Sequence, residues 1–118
     1  MEVERGFKLN MSFMLTTEQV RKGTKDITRR LGWWKIKPGQ ILNACVKCQG
    51  LKKGEKVEVI RQIKVVSARP EPLINITCDD LRREGFPDWT CAEFINMFCK
   101  HNKCTPETPV NRVEFVYL

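Results

Sequence analysis

The segment GTKDITRR, residues 23–30, places an amine, a hydroxyl and two guanidinium groups within eight positions. A lysine amine can take up or release a proton, a threonine hydroxyl can act as a nucleophile, and arginines bind carboxylates and phosphates in bidentate geometry. The segment therefore carries the side chains that proton transfer and anion binding require. It is equally compatible with a solvated turn between two ordinary elements.

The positive charge of the chain is concentrated around this segment. The 118 residues carry a net charge of +7, and residues 21–37 contain seven basic residues against Asp26 alone, a net charge of +6. Such a patch raises the local concentration of polyanions and indicates nucleic acid, a nucleotide or an acidic surface as the partner. A solubilising face without a ligand is the alternative interpretation.

Length and hydropathy predict one soluble domain over residues 1–118. A chain of this size buries roughly two thirds of the surface that its unfolded form exposes, which is enough for a single core. No apolar run reaches the roughly 18 to 20 residues needed to cross a bilayer, and the first residues lack the pattern of a secretory signal. We expect a cytoplasmic protein with no membrane contact. The oligomeric state is left open, with a monomer expected.

The chain contains six cysteines, and their spacing raises the question of a zinc site. Cys45 and Cys48 form a C-x-x-C pair, and Cys99, His101 and Cys104 cluster later in the chain. The pair lies in a strand-like run, where positions three apart face opposite ways, whereas zinc sites place such a pair on a tight turn. We therefore expect reduced, buried or incidental thiols, with no metal and no cofactor.

The elements that must position segment 23–30 are mainly short strands. Alternating apolar residues and turn signals predict strands at 7–15, from 26 onward, at 41–48, at 55–67 (one strand, or two broken near 60–61) and at 112–117. Thr16 followed by Gln19 is a capping-box signal, which predicts a helix at 17–22 that stops at Gly23. Thr77 and Thr90 predict two further helices within a helical insertion at 69–108. This order indicates an α+β fold, a small mixed β-barrel with a few short helices.

Four motifs in this order resemble the ASCH domains, a branch of the PUA-like superfamily. The first is Gly23-x-Lys25-x-x-x-x-Arg30, the G-x-K-x-x-x-x-R signature of that family. The others are the Pro-Gly turn at 37–40, Glu84-Gly85-Phe86 before an amphipathic helix, and a closing strand with Val113 and Phe115. The resemblance covers the chain from Phe7 onward and implies a PUA-like β-barrel whose signature segment lines a cleft.

Small bacterial proteins of this family are amidohydrolases that remove acyl groups from N4-acetylcytidine with a lysine, a threonine and a glutamate. The resemblance implies that Lys25 is the base, Thr28 the nucleophile and Glu84 the group that passes a proton to the leaving amine. RNA or a modified nucleoside is the expected partner. The residues expected to bind it are Gly23, Arg29, Arg30, Trp33, Trp34 and Lys35.

This assignment sets a geometric condition. Lys25 and Thr28 are three positions apart, and a regular strand would place them on opposite faces. Lys25 must therefore lie in the turn after Gly23, and the strand must start near Asp26. Thr28 and Arg30 then share one face.

Two other functions use the same residues. A non-catalytic module would bind single-stranded RNA, with the basic residues on phosphates and a tryptophan stacked on a base. A ribonuclease would use the same cationic cleft. Family membership does not decide among these activities.

Overall fold

The computed structural model of the chain describes residues 9–118. Its elements are strand β1 (Leu9–Ser12), helix α1 (Thr17–Lys22), β2 (Ile27–Arg30), β3 (Ile41–Cys45), β4 (Val59–Pro72), α2 (Cys78–Arg83), α3 (Cys91–Asn102) and β5 (Pro109–Tyr117). The strands form one curled sheet in the order β1-β3-β4-β5-β2, parallel between β1 and β3 and antiparallel elsewhere. This half-barrel with a few short helices confirms the predicted α+β fold class.

Two apolar clusters hold these elements together. The larger one lies on the sheet and includes Met11, Phe13, Leu42, Ile63 and Phe115. The smaller one joins α2 and α3 to the start of β5, and its buried residues are Leu73, Ile76, Leu81, Phe94, Phe98 and Val110. Strand β5 contributes to both clusters, so it fixes the helices relative to the sheet.

Helix α1 has the predicted bounds but not the predicted cap. Thr16 makes no side-chain hydrogen bond as N-cap, and the Gln19 side chain donates to the carbonyl of Gly85, 3.2 Å away. At the other end Gly23 takes a left-handed conformation (φ 75°) and ends the helix, as predicted. Helix α3 begins with the full capping box of Thr90 and Glu93.

Strand β4 differs most from the sequence prediction. It begins at Val59 rather than 55 and continues through Pro72, so residues 69–72 belong to the sheet and not to a helical insertion. Prolines are tolerated here because β3 pairs only with residues up to Lys64, and within the described residues the strand pairing of 67–72 is with β5. The irregularity expected near 60–61 is present as a register shift, since Ala44 pairs with Arg61 and Cys45 with Val59. A second shift lies between Val65 and Ser67.

Other boundaries shift by a few residues. Residues 7 and 8 of the first predicted strand lie outside the described range, and β1 ends at Ser12. Strand β3 ends at Cys45, so of the C-x-x-C pair Cys45 lies in the sheet and Cys48 follows it. Within residues 9–118 no three potential metal ligands converge on one point. The expectation that the thiols hold no zinc stays a prediction.

The helices of the described range are short. None within residues 9–118 is long and apolar enough to span a lipid bilayer.

Gly85 provides a test of how tightly α1 is packed against the end of α2. Its φ is 105°, and a Cβ there would lie 2.8 Å from Cγ of Gln19. Gly32 has nearly the same φ, 104°, but a Cβ there would meet nothing within 4 Å. Gly32→Ala should therefore cost only the strain of its backbone conformation, about 1–3 kcal/mol. Gly85→Ala should cost on the order of 1 kcal/mol more, because Gln19 must also move.

Denaturant unfolding of the two variants measures this difference. Equal losses of stability would show that α1 and the turn after α2 are loosely packed.

Candidate active site

A cavity of about 280 Å³ lies beside β2, at the edge of the sheet. One wall is polar and comes from β2 and the end of α2; the other is apolar and comes mainly from α3 and the segment before α1. The polar lining includes Lys25, Thr28, Arg29, Arg30 and Glu84, and the aromatic lining includes Phe13, Trp33, Phe86, Phe94 and Phe98.

Lys25 meets the geometric condition set by the sequence, since it precedes β2, which starts at Ile27. It is not exposed, however: only 2% of the residue is accessible. Its Nζ donates to Oε1 and to the carbonyl oxygen of Glu84, both 2.8 Å away. Burial lowers the pKa of the Lys25 amine below its ordinary value of 10.5; Glu84 opposes this effect, and the cations Arg30 and Arg29 reinforce it.

Arg29 lies behind Glu84 and fixes its carboxylate. Its Nη1 donates to Oε2 of Glu84 at 3.0 Å, and its Nη2 donates to Glu71 at 2.6 Å and to Asp80 at 2.5 Å. The side chain is fully buried. The structure therefore gives Arg29 a positioning role, where the sequence had suggested contact with a ligand.

Asp80 joins two arginines that the sheet places side by side. Arg29 of β2 is directly opposite Arg112 of β5, and Arg112 is opposite Arg69 of β4. Like charges in such positions repel. Arg112 donates to both carboxylate oxygens of Asp80, at 2.7 and 3.0 Å, and Arg29 donates to one of them. These hydrogen bonds, first those from Arg112 and then those from Arg29, lower the pKa of the Asp80 carboxyl.

Thr28 and Arg30 share one face of β2, as predicted. Nε of Arg30 donates to Oγ1 of Thr28 at 3.0 Å, and its guanidinium stacks over the ring of Phe13, 4.7 Å from the centroid. Burial lowers the pKa of Arg30 to about 10, which leaves it cationic at neutral pH. Thr28 thus keeps its hydroxyl proton available for a ligand while its oxygen is held by a cation.

The remaining candidates separate into two groups. Trp33 lines the cavity with φ at 58°, and Asn111 Nδ2 donates to its carbonyl at 2.8 Å, which holds this uncommon backbone conformation in place. Trp34 and Lys35 are exposed and lie outside the cavity lining. Gly23 also lies outside it, and its role is to end α1.

The structure adds residues that sequence reasoning did not select. Asp80 was interpreted only as part of a helix cap at Thr77, a role in which its backbone N–H does take part. Nothing local marks Glu71 or Arg112 as partners of Arg29, because the three are brought together by strand pairing. The aromatic residues of α3 were predicted to face the core, and Phe94 and Phe98 also line the cavity.

Comparison with known proteins identifies the fold. Scans of protein-family models and of curated proteins gave no match. Among solved structures, the chain superposes on an ASCH domain from Lactobacillus crispatus JV V101 with a TM-score of 0.60 and 16% identity, over 87% of this chain and 70% of that one. The chain has an ASCH-like fold.

Two further structures share this ASCH-like fold. Protein EF3133 from Enterococcus faecalis V583, assigned to the family DUF984, has a TM-score of 0.66 and 15% identity over 94% of this chain and 79% of its own. The hypothetical protein PH0355 has a TM-score of 0.63 and 17% identity over 94% of this chain and 97% of its own. Identities this low establish the fold alone, so the activity must be argued from the site.

Replacement of Asp80 tests the charged network. Asp80→Asn leaves Arg29 and Arg112 buried without their shared carboxylate, which should cost about 3–5 kcal/mol of unfolding free energy. Asp79→Asn is the matched control, because Asp79 is adjacent on α2 but bonds only to Arg82, and both of those side chains are mostly exposed. It should change stability by less than about 1 kcal/mol. Urea denaturation of both variants makes the comparison.

The pH dependence of stability gives a second measurement on the same variant. The folded-state pKa of Asp80 is lowered from 3.8, so its contribution is complete above that pH and is lost as the pH falls below it. Asp80→Asn should therefore lose less stability between neutral pH and acid than the wild-type protein does. If both proteins lost the same stability between neutral and acidic pH, the Asp80 carboxylate would not stabilise the fold.

Proposed function

We propose that this protein hydrolyses an amide on a nucleobase, with N4-acylcytidine as the substrate class. One observation carries the proposal: the buried ion pair of Lys25 and Glu84 and the hydroxyl of Thr28 line the same cavity. These are the residue types that the ASCH resemblance associates with removal of the acyl group from N4-acetylcytidine, and the ASCH-like fold supports the comparison.

The cavity suits a single base better than a folded polymer. Small-molecule sites are usually larger than about 300 Å³ and apolar, with a few polar groups that fix orientation. Here about 280 Å³ is bounded by aromatic rings on one side and by the polar groups of β2 and α2 on the other. A cytosine ring would pack against the aromatic wall and present its acylated N4 to Thr28.

Thr28 would be the nucleophile of the first step. Its Oγ1 would form a bond to the acyl carbon while its proton passes to the neutral amine of Lys25. Within the described residues Lys25 Nζ and Thr28 Oγ1 are not hydrogen bonded, so a single water molecule would have to carry this proton. Arg30, which already donates to Oγ1, would stabilise negative charge on the threonine oxygen.

Glu84 would complete the first step. The proton taken by Lys25 would pass along the 2.8 Å hydrogen bond to Glu84 and from there to N4, as the bond between the acyl carbon and N4 breaks and cytidine leaves. Water would then hydrolyse the acyl-threonine ester by the same proton route and release the carboxylic acid. Arg29 keeps the Glu84 carboxylate oriented throughout.

A second candidate function is supported by a different surface. Trp34 is 54% exposed, and its neighbours Lys35 and Lys37 are also exposed, which suits a strand of RNA that stacks a base on indole and places phosphates on lysines. A protein that leaves N4-acetylcytidine intact, yet binds single-stranded RNA with a salt dependence that Lys35→Ala and Lys37→Ala flatten, would support this function instead.

Thr28 offers the sharpest test of hydrolysis. Thr28→Val is nearly isosteric and removes the hydroxyl, so kcat on N4-acetylcytidine should fall by on the order of a hundredfold or more while KM changes little. Thr28→Ser restores a hydroxyl at the same position and should recover most of the activity. The absorbance change on deacylation follows the rate. A valine variant as active as the serine variant would contradict a nucleophilic role for Thr28.

Lys25 should control the pH dependence of the rate. The base must be neutral, and its pKa is lowered from 10.5, so the rate should rise with pH below that value as the amine loses its proton. Lys25→Arg keeps the charge but cannot act as a base. Both the activity and the increase of the rate with pH should therefore be lost. Because the site is buried, Lys25→Met is made in parallel and both variants are checked for folding by denaturation.

The alternative outcome for Lys25 is equally clear. A folded Lys25→Arg variant that keeps the wild-type rate and pH profile would show that only the positive charge is needed at this position.

A further inference from the structure

The end of α3 brings two cysteines together by a backbone motif. Lys103 takes a left-handed conformation (φ 55°, ψ 53°), and the N–H of Cys104 donates to the carbonyl oxygen of Cys99 at 3.1 Å. This bond between residues five apart, across a left-handed residue, is the Schellman arrangement, which frequently places the side chains of those two residues against each other. Here the two residues are Cys99 and Cys104.

Both thiols also pack against the same apolar cluster between the helices and β5. Both are half-buried and unoxidised. The residues between them include His101 and Asn102, and both of these line the cavity beside β2. The side chain of Asn102 is tied to the helix by a hydrogen bond to the carbonyl of Phe98 at 3.0 Å. The thiol pair therefore closes the turn that forms one end of the cavity wall.

We propose that Cys99 and Cys104 are a modification site, a dithiol that oxidises reversibly to an intramolecular disulfide when the protein meets a peroxide. The site is independent of the proposed hydrolase activity. A covalent bond here would close a ring over residues 99–104 and hold His101 and Asn102 in their present positions on the cavity wall.

The reaction balances with hydrogen peroxide as the oxidant. One thiolate attacks a peroxide oxygen, which forms a sulfenic acid and releases hydroxide, and this hydroxide takes up the proton that the thiol lost. The second sulfur then attacks the sulfenic sulfur, the disulfide forms and a second water leaves. Two thiols and one peroxide thus give one disulfide and two waters. Burial, with further contributions from Cys104 and Glu107, raises the pKa of the Cys99 thiol.

The other cysteines fit this chemistry less well. Cys45 is fully buried, and burial raises the pKa of its thiol to about 11, which keeps it protonated. Cys78 and Cys91 lie at the first positions of α2 and α3, and no backbone hydrogen bond joins them within the described residues. Only the pair at the end of α3 has its separation fixed by a backbone hydrogen bond between the two residues themselves.

Peptide mapping of the folded, full-length protein tests the proposal. After treatment with hydrogen peroxide and alkylation of the remaining thiols, trypsin cuts after Lys100 and Lys103 and places the two cysteines in separate peptides, 84–100 and 104–112. We expect these peptides to be linked in the monomer and separated by dithiothreitol. Hydrogen exchange of backbone amides at 101–104 should be slower in the oxidised protein.

Two variants identify the sulfur involved, because Cys91 and Cys99 lie in the same tryptic peptide. Cys91→Ser should leave the link to 104–112 intact, and Cys99→Ser should abolish it. The proposal is overturned if peroxide leaves Cys99 and Cys104 alkylated or singly oxidised without a link. A link found only between two chains, or one that survives in Cys99→Ser, would also overturn it.

Discussion

The buried guanidinium of Arg29 is the constraint around which the site is built. It donates to three carboxylates that come from three different parts of the chain: Glu71 on β4, Asp80 on α2 and Glu84 just after α2. A charge this deeply buried is tolerated only when its partners are in place, because desolvation of an unpaired guanidinium costs several kcal/mol. Folding must therefore bring α2 onto the sheet in one position.

The same network explains why Lys25 can be buried. The two carboxylate oxygens of Glu84 have different partners: Oε2 accepts from Arg29, and Oε1 accepts from Lys25. Burial lowers the pKa of the amine, Glu84 opposes this effect, and the nearby cations Arg30 and Arg29 reinforce it. A positioning residue thus contributes to the proton affinity of one that lines the cavity.

Features that depend on residues close together in the sequence were predicted correctly. Features that depend on contacts between distant parts of the chain were not. Helix α1, its end at Gly23 and the start of the strand near Asp26 follow from local propensity and from the conformational freedom of glycine, and all three were predicted correctly. The burial of Lys25 was not, because a lysine after a helix end is normally solvated. Its burial depends on Glu84, 59 positions later. Likewise, Pro70 and Pro72 suggested the end of a strand, since the sequence does not show that β3 stops short of them.

The position of the cavity follows from the two apolar clusters. One lies on the sheet, and the other joins α2 and α3 to β5. Among the described strands, β2 is at one edge of the sheet. Phe13 from the first cluster and Phe94 and Phe98 from the second line the cavity beside this strand, together with Lys25 and Glu84. An edge strand is usually a liability for a sheet. Here the edge strand and the buried ion pair of Lys25 and Glu84 form one wall of the cavity, and residues of both apolar clusters form the rest.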